Sequence, residues 1–433
     1  MSQEISFVAT GDSFITRPLP TTQSHEFMKI SQLINQGDFR FTNFEMTTPG
    51  IDKMPSAVSG GTWAAARPKV INHLKSYGFN CVAWANNHTL DYLYSGLSAT
   101  KHFLEKAELV HAGVGENLSE ASSPKYIETP SGRVALIALT STFHETWMAG
   151  EQRRDMPGRP GVNGLRYTNY YQTTSENLKV LKEIAEKTGI NVQRNLDLKE
   201  GFLAEEDNQE FTFGSYNFIE SDAPGLKRTP NKNDLKRIKA SISEAKRQAN
   251  YVIVSIHSHE MQGEDKKLTA DFIEEVARSC IDEGAHAVLG HGPHILRGIE
   301  IYQNRPIFYS LGNFIFQNDT VEFLPADFYE KYDLSPEKNV ADAIDKRSKN
   351  DTIGLGTNPL VWESVIPYWK MSDGVLTELI LYPIELGYGQ ERYQRGWPKL
   401  STNDAIIKNL QELSEAYGTH INIVDHVGIV KLL

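Results

Sequence analysis

The chain has little that suits a disulfide scaffold, a polyanion-binding surface or a membrane span. Its 433 residues include only two cysteines, Cys81 and Cys280. Both lie in apolar stretches and read as buried thiols, since two lone cysteines make no disulfide framework. Positive charge is in deficit: 44 Lys and Arg stand against 55 Asp and Glu, for a formal charge of −11. With no Lys/Arg-rich run either, nucleic acid is not expected as a partner. No stretch approaches the length of about 18 apolar residues that a membrane-spanning helix needs. The start of the chain, MSQEISFVATGD, shows no basic region, apolar core or cleavage motif of a secretion signal. These absences lead us to expect a soluble, cytoplasmic protein with no membrane anchor. Internal repeats and low-complexity tracts are missing as well.

What is present is an ordinary globular composition, 40% hydrophobic and 23% charged, which allows a sizeable core. The length suits one large domain with insertions, or two domains. Apolar runs predict strands at Ile5–Thr10, Phe39–Phe44, Phe79–Trp84, Leu109–Ala112, Lys125–Thr129, Arg133–Thr140, Tyr251–Ile256 and Ala285–Leu289. Helical spacing predicts helices at Ser24–Gln36, Pro68–Tyr77, Ser95–Lys106, Asp234–Gln248 and Leu268–Ile281. A hairpin is expected from Gly298–Tyr302 and Pro306–Leu311. Strands at Trp362–Met371 and Val375–Tyr382, a helix at Thr402–Ala416 and a last pair, Ile421–Val424 and Val427–Leu432, complete the chain. Between these, Phe143–Gly225 loses the rhythm around one helix near Ser175–Lys187 and reads as a large insertion, a candidate substrate-side cap. Gln317–Val361 reads as a second irregular, charged insertion. The expected organisation is a domain over residues 1–316, with 317–433 completing it.

The chemistry gathers where the strands stop. Five of them end in residues of metal-ligand type: Asp12; Asn43 and Glu45; Asn87, His88 and Asp91; His257 and His259; His291 and His294. Five of the thirteen histidines stand at these ends. Ligands in open α/β sheets bind at the strands' C-terminal ends. A mixture of carboxylate, amide and imidazole suits Mn, Fe or Zn, and its oxygen-rich subsets suit Mg or Ca. One or two such divalent ions would activate water and neutralise charge on a substrate oxygen. His88 could instead exchange protons, with Asp91 three residues on to orient its ring. For Asn43 a structural turn role is expected, and for His259 at most a supporting hydrogen bond. Trp84, Tyr92 and Trp147 read as packing, and His286 as a satisfied core histidine.

Six segments carry a resemblance: TGDSFITRP (10–18), TNFEMTTPG (42–50), ANNHTLDYLYSGL (85–97), HAGVGEN (111–117), the strand ending at His257, and GHGPHILRGIE with YSLGNFIF (290–300 and 309–316). In this order they resemble the bacterial CapA family of poly-γ-glutamate capsule-synthesis proteins, whose fold is similar to calcineurin-like metallophosphatases. The resemblance implies a four-layer αββα sandwich with insertions and a C-terminal extension. By motif position it implies Asp12, Glu45, Asn87, His257 and His291 as metal ligands, His88 as the acid/base residue, and His294 as a further ligand or a catalytic base. From the residues themselves, Asp12 joins them as a candidate for acid/base chemistry and Asp91 as the catalytic-site residue that orients His88. Two positions depart from the phosphatase pattern. Asp12-Ser13-Phe14 stands for Asp-x-His, and Glu45 takes the acidic bridging position, which leaves one metal or two open. A metal-dependent hydrolase of an amide or phosphoester bond, with a peptide or polyglutamate-like substrate, is the expected function. A peptide epimerase using Asp12 and His294 and a non-catalytic capsule-synthesis scaffold are the alternatives. Oligomeric state has no signature in the sequence.

Overall fold

The computed structural model describes residues 4–51, 53–204 and 210–432. Two compact units emerge: one formed by Met1–Gly164 with Lys236–Leu433, the other by Leu165–Leu235.

The larger unit is built on two sheets. In the first, of ten strands, the central path runs from Glu363–Ser372 to Ile5–Phe14, Phe39–Phe44, Cys81–Ala83 and Val110–Ala112. The last four of these are parallel to one another, and Asn313–Phe316 also pairs in parallel with Ile5–Phe14. The second sheet has six strands, with Gly132–Thr140, Tyr251–His257 and Ala287–His291 parallel at its centre. Parallel strands buried on both faces need near-continuous apolar sequence, which TyrValIleValSerIle at 251–256 supplies. One core lies between the sheets, with Phe7, Phe39, Phe41, Leu136, Ile253 and Leu289 among its members. Helices His25–Ile34, Lys69–Tyr77 and Leu93–Lys106 bury their apolar stripes in a second core on the outer face of the first sheet. Helix Asp271–Glu283 covers the second sheet with Phe272, Ile273, Val276, Ala277, Cys280 and Ile281. The result is the four-layer αββα sandwich of the metallophosphatase type, extended by C-terminal strands and the helix Asp404–Glu415. Both cysteines are free and buried.

Several expected boundaries move for physical reasons. The first strand does not stop at Thr10; it continues to Phe14 and carries Asp12 inside it. Its pairing register shifts on both sides of Asp12, a bulge of the kind that re-aims a side chain. The strand expected at Ala285 begins at Ala287 and runs on through His291. The helix expected from Leu268 begins at Asp271, because Asp265–Thr269 pairs with Met261–Gln262 as a small hairpin.

The two expected irregular stretches are also more ordered than read. Leu165–Leu235 holds a four-stranded sheet, ordered Phe211–Phe213, Tyr216–Glu220, Tyr167–Thr173 and Gly225–Pro230, and two helices, Ser175–Thr188 and Val192–Glu200. No position of strand Tyr167–Thr173 is fully buried, and helix Val192–Glu200 buries none. Thin packing leaves little apolar periodicity to read. The part of the expected insertion at 205–209 lies outside the described residues. Within Gln317–Val361, Ala326–Lys331 and Val340–Ser348 are helices, the second closed by an Asn339/Asp342 capping box. Their Phe328 and Ile344 pack with Trp63 and Tyr92 in a small separate core.

Candidate functional site

Register alone brings the first pairs together. Asp12 lies opposite Asn43 across two strands of the first sheet, and His257 opposite His291 in the second. Two close backbone approaches make this possible. A side chain on Gly11 would come within 2.1 Å of the Gly312 carbonyl oxygen, so only glycine lets the segment before Asn313 run beside Asp12. Gly292, at φ 119° and against the Ser258 backbone, turns the chain from His291 to His294. Its N–H donates to Asp12 Oδ2 at 3.2 Å.

The two halves meet across a gap. Asp12 Oδ1 is 3.9 Å from His257 Nδ1 and 3.7 Å from His291 Nδ1, and Asp12 Oδ2 is 3.6 Å from His294 Nδ1. Glu45 Oε1 is 3.8 Å from His257 Nε2, 3.8 Å from His294 Nε2 and 3.9 Å from His88 Nε2. These separations exceed a hydrogen bond. Two donors that share a divalent ion at about 2.0–2.2 Å each stand about 3–4 Å apart. Asp12 and Glu45 are 0% exposed, and so is His291. Both oxygens of Glu45 and both ring nitrogens of His291 are buried without a hydrogen bond, as are Asn43 Oδ1 and Asn87 Oδ1. Buried polar atoms normally have partners, so this cluster of orphans fits a divalent cation. Among the described residues, two sets offer ligand atoms close enough to share an ion: Asp12, Glu45 and His294, and Glu45, His257 and His259.

Burial sets the electrostatics. It raises the Asp12 carboxyl to about 7, against the opposing hydrogen bonds from Asn43 and Gly292. It lifts Glu45 well above the carboxylate range, helped by the negative charges of Asp12 and Asp91. The same cause drives the imidazoles the other way, His291 down to about 3 and His294 to about 4. His257 and His259 fall well below the usual histidine value, by burial first and by neighbouring histidines second. The imidazoles are therefore neutral near pH 7, the form that ligates metals.

The expected site residues occupy distinct places. His88 Nδ1 is bonded to Asp91 Oδ2 at 2.7 Å, and Asp91 is itself fixed by the Ala64 N–H at 2.7 Å and the Gly60 N–H at 3.3 Å. That leaves His88 Nε2 towards Glu45. Asn87 Nδ2 donates to the Gly60 carbonyl at 3.2 Å, which leaves Oδ1 as its only unengaged atom. His294 sits at φ 61°, a left-handed conformation that is strained for a histidine. It is held there by Asn313, whose Oδ1 accepts from His294 Nδ1 at 2.9 Å and whose amide donates to the His294 carbonyl at 3.2 Å. His294 Nε2 then faces Glu45.

Some of these roles depart from the sequence reading. Asn43 is not a turn residue: its amide donates to Asp12 Oδ1 at 2.7 Å and stands 3.1 Å from His257 Nδ1, a contact between the two sheets. His259 is in the centre, its Nε2 3.1 Å from His257 Nε2. Glu260 fixes that turn by accepting from Ser141, Thr142 and Ser258 at 2.6, 3.0 and 2.8 Å. The only sequence signal for Asn313 was its place in the 309–316 motif. His286 precedes the buried strand and is half-buried, yet satisfied, accepting from the Val252 N–H at 3.0 Å. Trp84, Tyr92 and Trp147 are buried packing residues, as expected.

Comparison with known proteins adds a family. The model of the bacterial capsule synthesis protein PGA_cap matches residues 6–318. The chain is 34% identical to the uncharacterized protein y4sH of Sinorhizobium fredii, over 99% of this chain and 93% of that protein. It is 24% identical to the capsule biosynthesis protein CapA of Bacillus anthracis, over 67% of this chain and 53% of that one. With the PGA biosynthesis protein CapA of Bacillus subtilis the identity is 31%, over 31% of this chain and 37% of the other. Among the described residues, no helix is long and apolar enough to cross a membrane. The motif order, the two-sheet frame and these matches agree: the chain belongs to the bacterial capsule synthesis (CapA) family.

Proposed function

We propose that the protein is a metal-dependent hydrolase, cleaving an amide or phosphoester bond in a peptide-like or polyglutamate-like substrate. The observation that carries this reading is the set of buried, unpartnered ligand atoms on Glu45 and His291 beside gaps of 3.7 Å from Asp12 to His291 Nδ1 and 3.8 Å from Glu45 to His294 Nε2. Asp12, Glu45, His257, His291 and His294 would hold the cation, with Asn87 Oδ1 and His259 as further donors. A cation bound there supplies an acidified water and offsets negative charge that develops on the substrate.

The chain's own residues do the rest. Asp91 keeps a proton on His88 Nδ1 and fixes the ring, so the free Nε2 can take the proton released by the attacking water and pass it to the leaving group. Asn313 locks the strained His294 so that its Nε2 is presented without reorganisation. Phe14 and Phe316 stand edge-on to His88 and tilted against His294, which limits water around both rings. Epimerisation by Asp12 and His294 is less well supported. It gives no use to the buried, unpartnered atoms of Glu45 and His291. A pure scaffold would have no use for so many buried groups without partners, each costing about 1–3 kcal/mol.

The test is elemental analysis of the untreated protein joined to a screen over phosphoester, γ-glutamyl and peptide substrates. Bound divalent metal with metal-stimulated cleavage is the expected result. Protein without metal, and without metal-stimulated cleavage of any of the three, would sink the reading.

A further inference from the structure

A cavity of about 400 Å³ opens over the ligand cluster, with His88, His259 and His294 among its lining. Four cations on its walls come from outside the ligand-bearing strand ends: Lys266 on strand Asp265–Thr269, Lys331 at the end of helix Ala326–Lys331, Arg347 on helix Val340–Ser348, and Arg395. The surroundings of Lys266 and Arg347 differ from those of the other charges there. Arg395 is closed off by Asp319, and Asp351 is bonded by Arg392 at 2.8 Å. Arg347 is half-buried, donates through Nη1 to the Thr62 hydroxyl and lies 5.8 Å over the Phe328 ring. Among the described residues it forms no ion pair. Lys266 likewise has no ion pair or side-chain hydrogen bond among the described residues, and the charge felt most there is that of another cation, Arg297. Arg297 is spent on backbone: it donates to the carbonyls of Lys266 and Glu260 at 2.8 and 2.9 Å.

Two open cations above a metal-ligand cluster stand out in a chain with a formal charge of −11. A net negative protein repels anions at long range, so an anionic ligand needs local positive charge to enter. Arg395, Asp319 and Asp351 in this cavity are paired and Lys331 is exposed beside the Tyr332 ring, whereas Lys266 and Arg347 are left available. Arginine's fork matches a carboxylate or a phosphate through two N–H groups, and lysine adds a point charge. We propose that Lys266 and Arg347 form an oxyanion-binding subsite that holds a carboxylate or phosphate of the substrate beside the reacting bond. The subsite rests on the hydrolase reading only in calling its ligand a substrate; the anion affinity stands apart from it.

The experiment titrates full-length, chelator-treated protein calorimetrically with glutarate, inorganic phosphate and neutral glutaramide. At least one anion binds and glutaramide does not. Lys266→Gln and Arg347→Gln each weaken that anion about tenfold, as loss of a charged hydrogen bond does. Arg347→Lys restores part of the affinity, which separates charge from folding, and the rim position of Lys266 keeps its variant folded. Tighter glutarate assigns a carboxylate; tighter phosphate assigns a phosphoester group. No anion binding by the unsubstituted protein, equal binding of glutaramide, or unchanged affinity in Lys266→Gln/Arg347→Gln overturns the subsite. The same proteins, reloaded with metal, are assayed for hydrolysis. Absent hydrolysis with anion binding lost in the variants would remove the hydrolase reading and leave the subsite. Metal-stimulated hydrolysis with unchanged anion affinity in the double variant would do the reverse.

Discussion

The first sheet brings carboxylates and amides to the centre, and the second brings imidazoles. Burial pushes the two halves apart in charge: Asp12 and Glu45 resist ionising, and His257, His291 and His294 resist protonation. Within the first half, an acid and an imidazole do pair, His88 with Asp91 at 2.7 Å. Across the seam no such pair forms, and the same kinds of group stay 3.6–3.9 Å apart. The difference separates two jobs. The paired histidine is fixed to pass a proton, and the unpaired groups are spaced to share a third body of positive charge. A dication would restore the carboxylates to their charged form and give the imidazoles a partner without protonating them.

Substitutions can break this comparison. The largest effect is expected from Glu45→Gln or His291→Ala, which remove one side of the seam. Metal content should fall to background and cleavage by on the order of a thousandfold, about 4 kcal/mol. A variant that kept its metal would show the halves do not meet on it. Next comes His88→Ala, which should lower kcat by about a hundredfold or more with metal content unchanged. Loss of metal from this variant would merge the two jobs that the geometry separates.

Acid should sharpen the contrast. Asp12 is protonated below about 7 and the imidazoles are already neutral there, so metal uptake displaces protons from carboxylates. Affinity should therefore rise with pH through about 7 and lose roughly tenfold per unit below it for each proton displaced. Calorimetry in buffers of different ionisation enthalpy counts those protons; none released at pH 6 would contradict the assignment. The smallest effect is expected from Asn313→Ala, which frees the strained His294 without removing a ligand. Metal affinity or activity should drop about tenfold, and an unchanged value would leave Asn313 a purely structural bond.

How far the sequence shows this depends on what each residue is asked to do. Central strands such as Phe39–Phe44 are legible because burial on both faces forces an apolar run with sharp ends. The ligands are legible for the same reason, since polar groups directly after such runs can only sit at the sheet's edge. Asn43 was not, because an asparagine near a strand end has a common turn role. Only the register between the strands reveals that its amide reaches Asp12 and His257. The place of His259 was harder to read because its direction depends on a turn held by Glu260, the adjacent Ser258 and two hydroxyls distant in sequence, Ser141 and Thr142. Lys266 and Arg347 carry no local signal, since an unpaired charge is defined by what fails to approach it in space. The sheet in Leu165–Leu235 escaped because its strands bury too little to show alternation.

The most direct test is crystallographic: anomalous scattering recorded at the absorption edge of the metal found in the untreated protein. A peak bounded by Asp12, Glu45 and His294, or by Glu45, His257 and His259, with ligand atoms at about 2.0–2.3 Å, is the predicted result. Density showing those side chains closed onto one another, with the metal elsewhere or no site taken up after soaking, would contradict it.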